Sequence, residues 1–155
     1  MKHCYYIYQT ALGPMMLAEQ DGALTAASLH ETPPSGSERK QTPLLDRAAR
    51  ELDEYLAGTR RAFNLPLAPK GTPFQQKIWK CLLDIPYGQT RSYGQIAQAA
   101  ENPKACRAVG MANNKNPLMI FIPCHRVIGA DGSLTGYAGG LDVKTRLLEL
   151  ERSCA

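Results

Sequence analysis

A proline- and glycine-rich segment is the strongest constraint that this sequence places on its fold. Residues 59–71 include Pro66, Pro69 and Gly71 and interrupt the hydrophobic patterns on either side. Because proline fixes its own φ angle and has no amide proton, neither a helix nor a central strand continues through such a segment. We therefore predict two units, residues 1–70 and residues 71–155. With 44% hydrophobic residues the chain has the composition of folded domains, which excludes disordered and fibrous classes.

The first unit has the pattern of a small antiparallel sheet followed by one helix. Asp21-Gly22 is a hairpin signal between two apolar runs, and Thr32–Glu38 is rich in proline, glycine and serine, which predicts an exposed loop. Thr42-Pro43 is typical of a helix start, and Gly58 ends the apolar periodicity that follows. The predicted strands are Tyr6–Tyr8, Met15–Ala18 and Ala23–Leu29.

The second unit is predicted to be mostly helical. Thr72-Pro73 repeats the helix-start pattern, and Ser92 with Gln95 forms a capping box that begins a short helix ending near Ala100. Asn102-Pro103 is predicted to cap another helix that runs to about residue 113. Two short helices joined by a tight turn are typical of a DNA-binding helix-turn-helix, although such pairs more often serve only for packing.

The remainder of the second unit combines a buried strand, a small-residue loop and a final helix. The apolar run Leu118–Ile122 predicts a short strand, and it is followed by Pro123-Cys124-His125-Arg126. Residues 129–140 are rich in glycine, alanine and serine, so their backbone can approach a flat ligand closely. The last helix is predicted to begin at Asp142.

Positive charge is concentrated in part of the second unit. The chain carries a net charge of +4, but residues 71–126 contain seven basic side chains and two acidic ones. Such an excess is compatible with simple solubility, and its local concentration favours a polyanionic partner for this unit.

Other features restrict the class of protein. The sequence has no run of 18 apolar residues and no signal-peptide pattern, so we expect no membrane association and a cytoplasmic location. Five cysteines without framework spacing favour a reducing compartment over a disulfide scaffold. His3-Cys4 and Cys124-His125 do not have the spacing of zinc ligands, so no metal site is predicted.

Cys124 is the best candidate for a reactive residue. A thiolate near neutral pH requires a nearby cation, helix N-terminus or base, and His125 and Arg126 follow Cys124 directly. Neighbouring side chains on a regular strand point to opposite faces, so Cys124 and His125 can cooperate only where the backbone departs from strand geometry. An inert buried cysteine at a strand end explains this local sequence equally well.

Several motifs in order along the second unit resemble the O6-alkylguanine-DNA alkyltransferases, also called methylated-DNA protein-cysteine methyltransferases. The resemblance covers residues 71–151, whereas the first 70 residues match only in length and in their plan of strands and a helix. The matching motifs are Gly71-Thr-Pro-Phe-Gln75, Pro86-Tyr-Gly-Gln89, Ser92-Tyr-Gly94, Ala105-Cys-Arg-Ala-Val-Gly110, Asn116-Pro117, Ile122-Pro-Cys-His-Arg-Val-Ile-Gly129 and Gly136-Tyr-Ala-Gly-Gly140.

The resemblance implies an α+β fold and a set of catalytic roles. The first unit would be a ribonuclease H-like sheet and helix, and the second a mostly helical domain with a winged helix-turn-helix. Cys124 would accept the alkyl group, with His125 as its base through a water and Glu151 orienting that base. Asn116 would tie together the backbone around the site, while a simple turn-capping role before Pro117 remains equally compatible with the sequence.

The remaining implied site residues contact the base or the DNA. Tyr93 would donate a hydrogen bond to the departing guanine, although the residue pattern alone fits a core aromatic. Val127 and Ala138 would line the pocket through backbone groups, and Tyr137 would form its aromatic wall. Four residues are assigned to DNA binding in the minor groove, where Arg107 would fill the gap left by a flipped base: Arg107, Ala105, Ala108 and Arg126.

The implied function is irreversible, single-turnover transfer of a methyl or larger alkyl group from O6-alkylguanine in double-stranded DNA to Cys124. O4-alkylthymine is a possible further substrate. We expect no cofactor, a monomer, and a location in the bacterial cytoplasm beside the nucleoid. The main alternative is a non-catalytic binder of alkylated DNA or a helix-turn-helix regulator. A cysteine hydrolase ranks last because no oxyanion-hole motif is recognisable.

Overall fold

The chain has the predicted α+β architecture, with a sheet in its first unit and mainly helices in its second. The computed structural model describes residues 3–30, 32–134, 137 and 140–155. It divides into two compact units, Met1–Lys70 and Gly71–Ala155. Within the residues described, no helix is long and apolar enough to cross a membrane.

The first unit contains a four-stranded sheet with the order β3-β2-β1-β4. Asp21 and Gly22 both have positive φ, as expected for the tight turn between β2 and β3. The three predicted strands are present; the first two are longer than expected, and the third ends one residue earlier than expected, at Ser28. A fourth strand pairs in parallel with β1, so the sheet is mixed rather than wholly antiparallel. The strands are β1 (His3–Thr10), β2 (Gly13–Gln20), β3 (Ala23–Ser28) and β4 (Glu38–Arg39).

The helix of the first unit, α1 (Pro43–Leu56), begins where the Thr-Pro pair predicts. The side chain of Thr42 accepts a hydrogen bond from the amide of Leu45 and so caps the first turn. Glu51 is buried on this helix and accepts the amide of Asn64 at 2.9 Å, with Arg47 and Arg60 beside it. This carboxylate holds the loop after α1 against the helix.

The second unit begins with α2 (Pro73–Leu83), whose buried face includes Trp79. Its N-terminus has a complete capping box made by Thr72 and Gln75, and a second box made by Ser92 and Gln95 begins α3. The indole of Trp79 donates to the carbonyl of Ala112 at 2.9 Å. The other elements are β5 (Arg91–Ser92), α3 (Tyr93–Ala99), α4 (Cys106–Asn114), β6 (Val127–Ile128) and α5 (Leu141–Cys154).

The helix after the tight turn begins later than predicted. Asn102 does not cap α4, because its amide donates to the carbonyl of Ala97 and its carbonyl accepts the amide of Ala105. Asn102 therefore closes the turn after α3, and Ala105 is the residue before the first turn of α4. The α3–turn–α4 pair itself is present, as a helix-turn-helix requires.

The apolar run Leu118–Ile122 is buried, as predicted, but it is not a strand. Ile120 has a φ of 74°, which no regular strand allows. The side chain of Asn116 supplies two hydrogen bonds to this turn: its Oδ1 accepts the amide of Leu118 at 3.0 Å and its Nδ2 donates to the carbonyl of Ile122 at 2.9 Å. A short apolar run cannot reveal such a turn, because burial and strand pairing give the same pattern.

Candidate active site

Cys124 begins a single turn of 3₁₀ helix, Cys124–Arg126, that follows Pro123. The backbone therefore departs from strand geometry at the position where cooperation between Cys124 and His125 requires it. Both side chains are buried, with 4% of Cys124 and none of His125 exposed. β6 follows at once and pairs in parallel with β5, which fixes the far end of the turn.

His125 is held by a carboxylate from the last helix. Its Nε2 lies 2.7 Å from Oε2 of Glu151 on α5, and Glu151 is only 1% exposed. Because a carboxylate only accepts, Nε2 carries the proton and Nδ1 has the lone pair that can accept another one. Burial lowers the pKa of His125, and the hydrogen bond to Glu151 opposes that shift. The imidazole is thus neutral and suited to act as a base near pH 7.

Arg126 does not have the exposed position expected of a DNA contact. It is 8% exposed, and its guanidinium donates to both oxygens of Glu151 and to the carbonyl of Ile85 at 2.7 Å. Tyr87 lies under the same guanidinium, 5.7 Å from it to the ring centre. The assignment of Arg126 to DNA binding is wrong, because the guanidinium is buried and donates its hydrogen bonds to groups inside the unit. Local charge counts do not reveal such burial.

Lys144 is a second buried cation that the sequence analysis missed. It lies in the first turns of α5, is 0% exposed, and donates from Nζ to the carbonyl of Val127 at 2.6 Å. Burial lowers the pKa of this ammonium group, and the nearby Cys124 opposes that shift. No sequence signal identifies Lys144, since lysines on a terminal helix are ordinarily solvated.

The thiol of Cys124 is subject to opposing influences. Burial raises its pKa, whereas hydrogen bonds from the side chains of Asn116 and Tyr137 and the charge of Lys144 lower it. In the resting protein the first influence dominates, so the thiol is protonated. A proton acceptor is therefore needed to generate the thiolate, and His125 is the adjacent base.

Helix α4 is connected to the carbonyl of Cys124. Asn113, in the last turn of α4, is 2% exposed and donates from Nδ2 to this carbonyl at 3.3 Å. The amide of Val127 donates to the same oxygen. The sequence predicts Asn113 only as the end of a helix, because nothing in its local pattern distinguishes it from a C-terminal cap.

The structure describes the surroundings of three of the four predicted pocket residues. Tyr137 is buried and is one of the groups that lower the pKa of the Cys124 thiol, and Val127 is buried at the start of β6. Tyr93 begins α3, and a Cβ built on Gly110 of α4 would lie 3.7 Å from its ring, so the ring lies against that helix. Ala138 lies outside the described residues.

The outer face of α4 carries the other predicted DNA contacts. Arg107 and Ala108 are exposed and Ala105 is half-buried at the N-terminal end of the helix. Met111 follows Arg107 by one turn and is 63% exposed, which is unusual for a large apolar side chain. No group of three His, Cys, Asp or Glu side chains able to hold a metal ion occurs in the described part of the chain.

Comparison with known families accounts for almost the whole sequence. The family model of the 6-O-methylguanine DNA methyltransferase ribonuclease-like domain matches residues 3–69. The model of the 6-O-methylguanine DNA methyltransferase DNA binding domain matches residues 73–153. These matches confirm the resemblance found in the second unit and extend it to the first.

Individual relatives agree with the family models. The chain is 48% identical to a methylated-DNA–protein-cysteine methyltransferase of Methanosarcina acetivorans, over 97% of this chain and 99% of the relative. It is equally identical to the constitutive enzyme of that name from Bacillus subtilis, over 96% and 94%. A crystal structure of Mycobacterium tuberculosis OGT in complex with DNA is 46% identical, with a TM-score of 0.91 over 98% of this chain and 94% of that one. The chain therefore belongs to the 6-O-methylguanine DNA methyltransferase family.

Proposed function

We propose that the protein repairs DNA by transferring an alkyl group from O6-alkylguanine to its own Cys124. The observation that carries this proposal is the buried series Cys124, His125 and Glu151, in which the His125–Glu151 contact is 2.7 Å. Its family membership, and the DNA complex of a close structural relative, support DNA as the partner.

The first step is removal of the thiol proton. His125 accepts it at Nδ1, through a water molecule, while Glu151 holds Nε2 and stabilises the imidazolium that forms. Glu151 remains ionised because Arg126 binds both of its oxygens. Lys144 then stabilises the thiolate electrostatically. In this arrangement the thiol stays protonated at rest and becomes a thiolate when His125 takes its proton.

The second step is displacement at the alkyl carbon. The thiolate sulfur forms a bond to that carbon as the bond from carbon to O6 breaks, and the electron pair passes to the guanine ring. Tyr93 donates a hydrogen bond to the leaving base, which lowers the charge that the base must carry. The proton taken from Cys124 returns to the guanine, so the reaction is balanced in protons.

Base chemistry of this kind requires the nucleotide to leave the duplex, at an unstacking cost of a few kcal/mol. Arg107 on the exposed face of α4 is the residue that would occupy the vacated space in the minor groove. Ala105 and Ala108 are small enough to let the helix approach the groove, and Val127 and Ala138 would line the pocket.

The thioether product is chemically stable, so each chain reacts once. In this proposal the protein acts as a monomer and without a cofactor. Because the substrate would be chromosomal, we place the reaction in the cytoplasm beside the nucleoid. The first unit, residues 1–70, serves a structural role in this proposal, and residues 71–155 carry both DNA binding and alkyl acceptance.

The decisive experiment is mass spectrometry of the protein after incubation with duplex DNA containing O6-methylguanine. We expect a gain of one methylene group per chain, located on the peptide that contains Cys124. Cys124→Ala should abolish the gain and retain DNA binding, whereas Cys106→Ala, at an exposed cysteine, should leave the gain intact. Binding without any mass gain would instead indicate a non-catalytic binder of alkylated DNA, and more than one methyl removed per chain would refute single turnover.

A further inference from the structure

Glu101 has a backbone conformation that is unfavourable for its residue type. It follows the end of α3, and its φ of 59° lies in the left-handed region. Its amide donates to the carbonyl of Gln98 at 3.0 Å, and the next amide, of Asn102, donates to the carbonyl of Ala97 at 2.9 Å. This is the hydrogen-bond pattern of a Schellman motif, in which the left-handed residue is usually glycine.

A glutamate at this position is disfavoured in two ways. The left-handed conformation brings its Cβ close to the following carbonyl oxygen, and its carboxylate lies beside the free carbonyl groups at the C-terminal end of α3, which favour cations. The side chain is exposed, and among the described residues no hydrogen bond or ion pair engages its carboxylate. A residue that conflicts with its local structure and contributes no contact to the fold indicates a functional position.

The carboxylate lies close to the helix proposed to contact DNA. The amide of Ala105 donates to the carbonyl of Asn102 at 3.0 Å, so the Cα atoms of these two residues are less than about 7 Å apart. Glu101 is one residue further away, which places its Cα within about 11 Å of the residue that precedes α4. The Debye length is about 10 Å at 0.1 M salt, so the charge of Glu101 acts on phosphates that α4 contacts.

Glu101 is also an exception to the charge of this part of the chain. Residues 71–126 contain seven basic side chains, and their two acidic ones are Asp84 and Glu101. Lys104 and Arg107 follow Glu101 closely, are exposed, and carry charges that attract a phosphate backbone. Asp84 caps the end of α2 and so lies outside the α3–turn–α4 pair. The carboxylate of Glu101 therefore opposes the attraction that its neighbouring cations provide.

We propose that Glu101 limits the affinity of the protein for the DNA backbone and so reduces its occupancy of undamaged DNA. This role rests on DNA being the partner in the proposed function, and alkyl transfer itself does not need it. Phosphate contacts carry no sequence information, so each attractive charge strengthens binding to all sites alike. Because undamaged sites far outnumber alkylated ones, a protein that must reach O6-alkylguanine gains from weak binding elsewhere. A fixed negative charge beside α4 weakens this general attraction and leaves the contacts to the base unchanged.

The test measures the dissociation constant for an undamaged, fluorescently labelled duplex by anisotropy. Glu101→Gln removes the charge and retains the size of the side chain. We expect about threefold tighter binding at about 50 mM salt and no difference at about 300 mM salt, where screening removes the repulsion. Asp84→Asn is the matched control, because it changes the net charge by the same amount at an exposed position outside the helix pair. It should leave the affinity unchanged.

Three outcomes of these measurements overturn the role of Glu101. Equal tightening by Glu101→Gln and Asp84→Asn indicates an effect of net charge alone, and unchanged binding by Glu101→Gln indicates that no phosphate lies near this side chain. Glu101→Gly tests the backbone argument separately. Urea denaturation should show that this variant is more stable than wild type, and lower stability would assign the glutamate to the fold.

A competition experiment connects this charge to repair. Methyl transfer from a duplex containing O6-methylguanine is measured with and without a large excess of long undamaged DNA. The excess should slow Glu101→Gln about threefold more than wild type, in proportion to its tighter binding, and equal slowing of the two proteins contradicts the role of Glu101. A wild-type protein that binds the duplex but transfers no methyl group overturns the proposed alkyl transfer, and the affinity measurement still decides the role of Glu101. A protein that binds no duplex overturns both.

Discussion

The guanidinium of Arg126 binds the carboxylate of Glu151 with two hydrogen bonds, Nε to Oε1 at 2.8 Å and Nη2 to Oε2 at 2.9 Å. His125 contacts the same carboxylate at 2.7 Å, and the amide of Gly88 donates to it at 3.3 Å. Since all these groups act on one buried charge, the orientation of the catalytic imidazole depends on Arg126.

Arg126→Met removes the cation and leaves the charge of Glu151 buried. The free energy of unfolding should fall by about 3 kcal/mol, the usual cost of breaking a buried ion pair by deleting one partner. Urea denaturation measures this loss, with Lys80→Met at an exposed position as the control. The salt dependence of DNA affinity should not change, and a smaller salt slope with unchanged stability would restore Arg126 as a phosphate contact.

Lys144→Met should make the thiol of Cys124 less reactive. Because the ammonium group lowers the pKa of the thiol, its loss shifts the pH profile of Cys124 alkylation by iodoacetamide to higher pH. A shift of one unit would slow the reaction about tenfold at pH 7. Peptide mapping distinguishes alkylation of Cys124 from alkylation of the other cysteines. Lys144→Arg should retain part of the effect, and Lys115→Met, at an exposed lysine, should show none.

Stability should depend on pH on both sides of neutrality. Burial holds the pKa of His125 below 6.5, so the contribution of the neutral imidazole is complete above pH 6.5 and is lost as pH falls toward the lowered pKa. Burial holds the pKa of Cys124 above 9.0, so the contribution of the neutral thiol is complete below pH 9.0 and is lost as pH rises through the raised pKa.

Denaturation curves from pH 5 to pH 10 check the alkaline half of this expectation when wild type is compared with Cys124→Ala. The difference in unfolding free energy between the two proteins should be constant from pH 6.5 to pH 9.0 and should change above it. Cys106→Ala provides the comparison for an exposed thiol. A difference that stays constant up to pH 10 would show that the folded protein does not disfavour the thiolate.

Arg107→Ala should impair repair of duplex DNA more than reaction with the free O6-methylguanine base. The side chain is exposed on α4 and takes no part in the thiol chemistry. It would act only on duplex DNA, where the flipped base must be kept out of the stack. Rates on both substrates measure the effect, which we expect to be tenfold or more on duplex. Equal losses on the two substrates would count against a flipping role.

Local signals in the sequence predict most of the helices. Thr42, Thr72 and Ser92 cap helices where their patterns indicate, because a cap depends on residues within one turn. The predictions that fail are those in which another hydrogen-bonding interaction competes with the local sequence signal. Asn102 closes a turn instead of capping α4, and Asn116 replaces the strand pairing that an apolar run favours.

The residues of the site also divide into those that the sequence predicts and those that it does not. Adjacent Cys124 and His125 are visible in the sequence, and the resemblance supplies Glu151. Asn113, Lys144 and the true partner of Arg126 depend on contacts that span 11 to 25 residues. Such contacts follow from which helix faces meet, and hydrophobic periodicity does not specify which polar side chains those faces bring together.

Trp79 is the only tryptophan of the chain, and its indole is anchored to Ala112 on α4. Its emission therefore comes from one place, directly behind the helix that carries Arg107 and Asn113. Any movement of α4 on duplex DNA should alter the hydrogen bond and polarity around this indole. The unlabelled protein thus contains its own optical probe, which allows docking on DNA to be timed separately from the covalent step at Cys124.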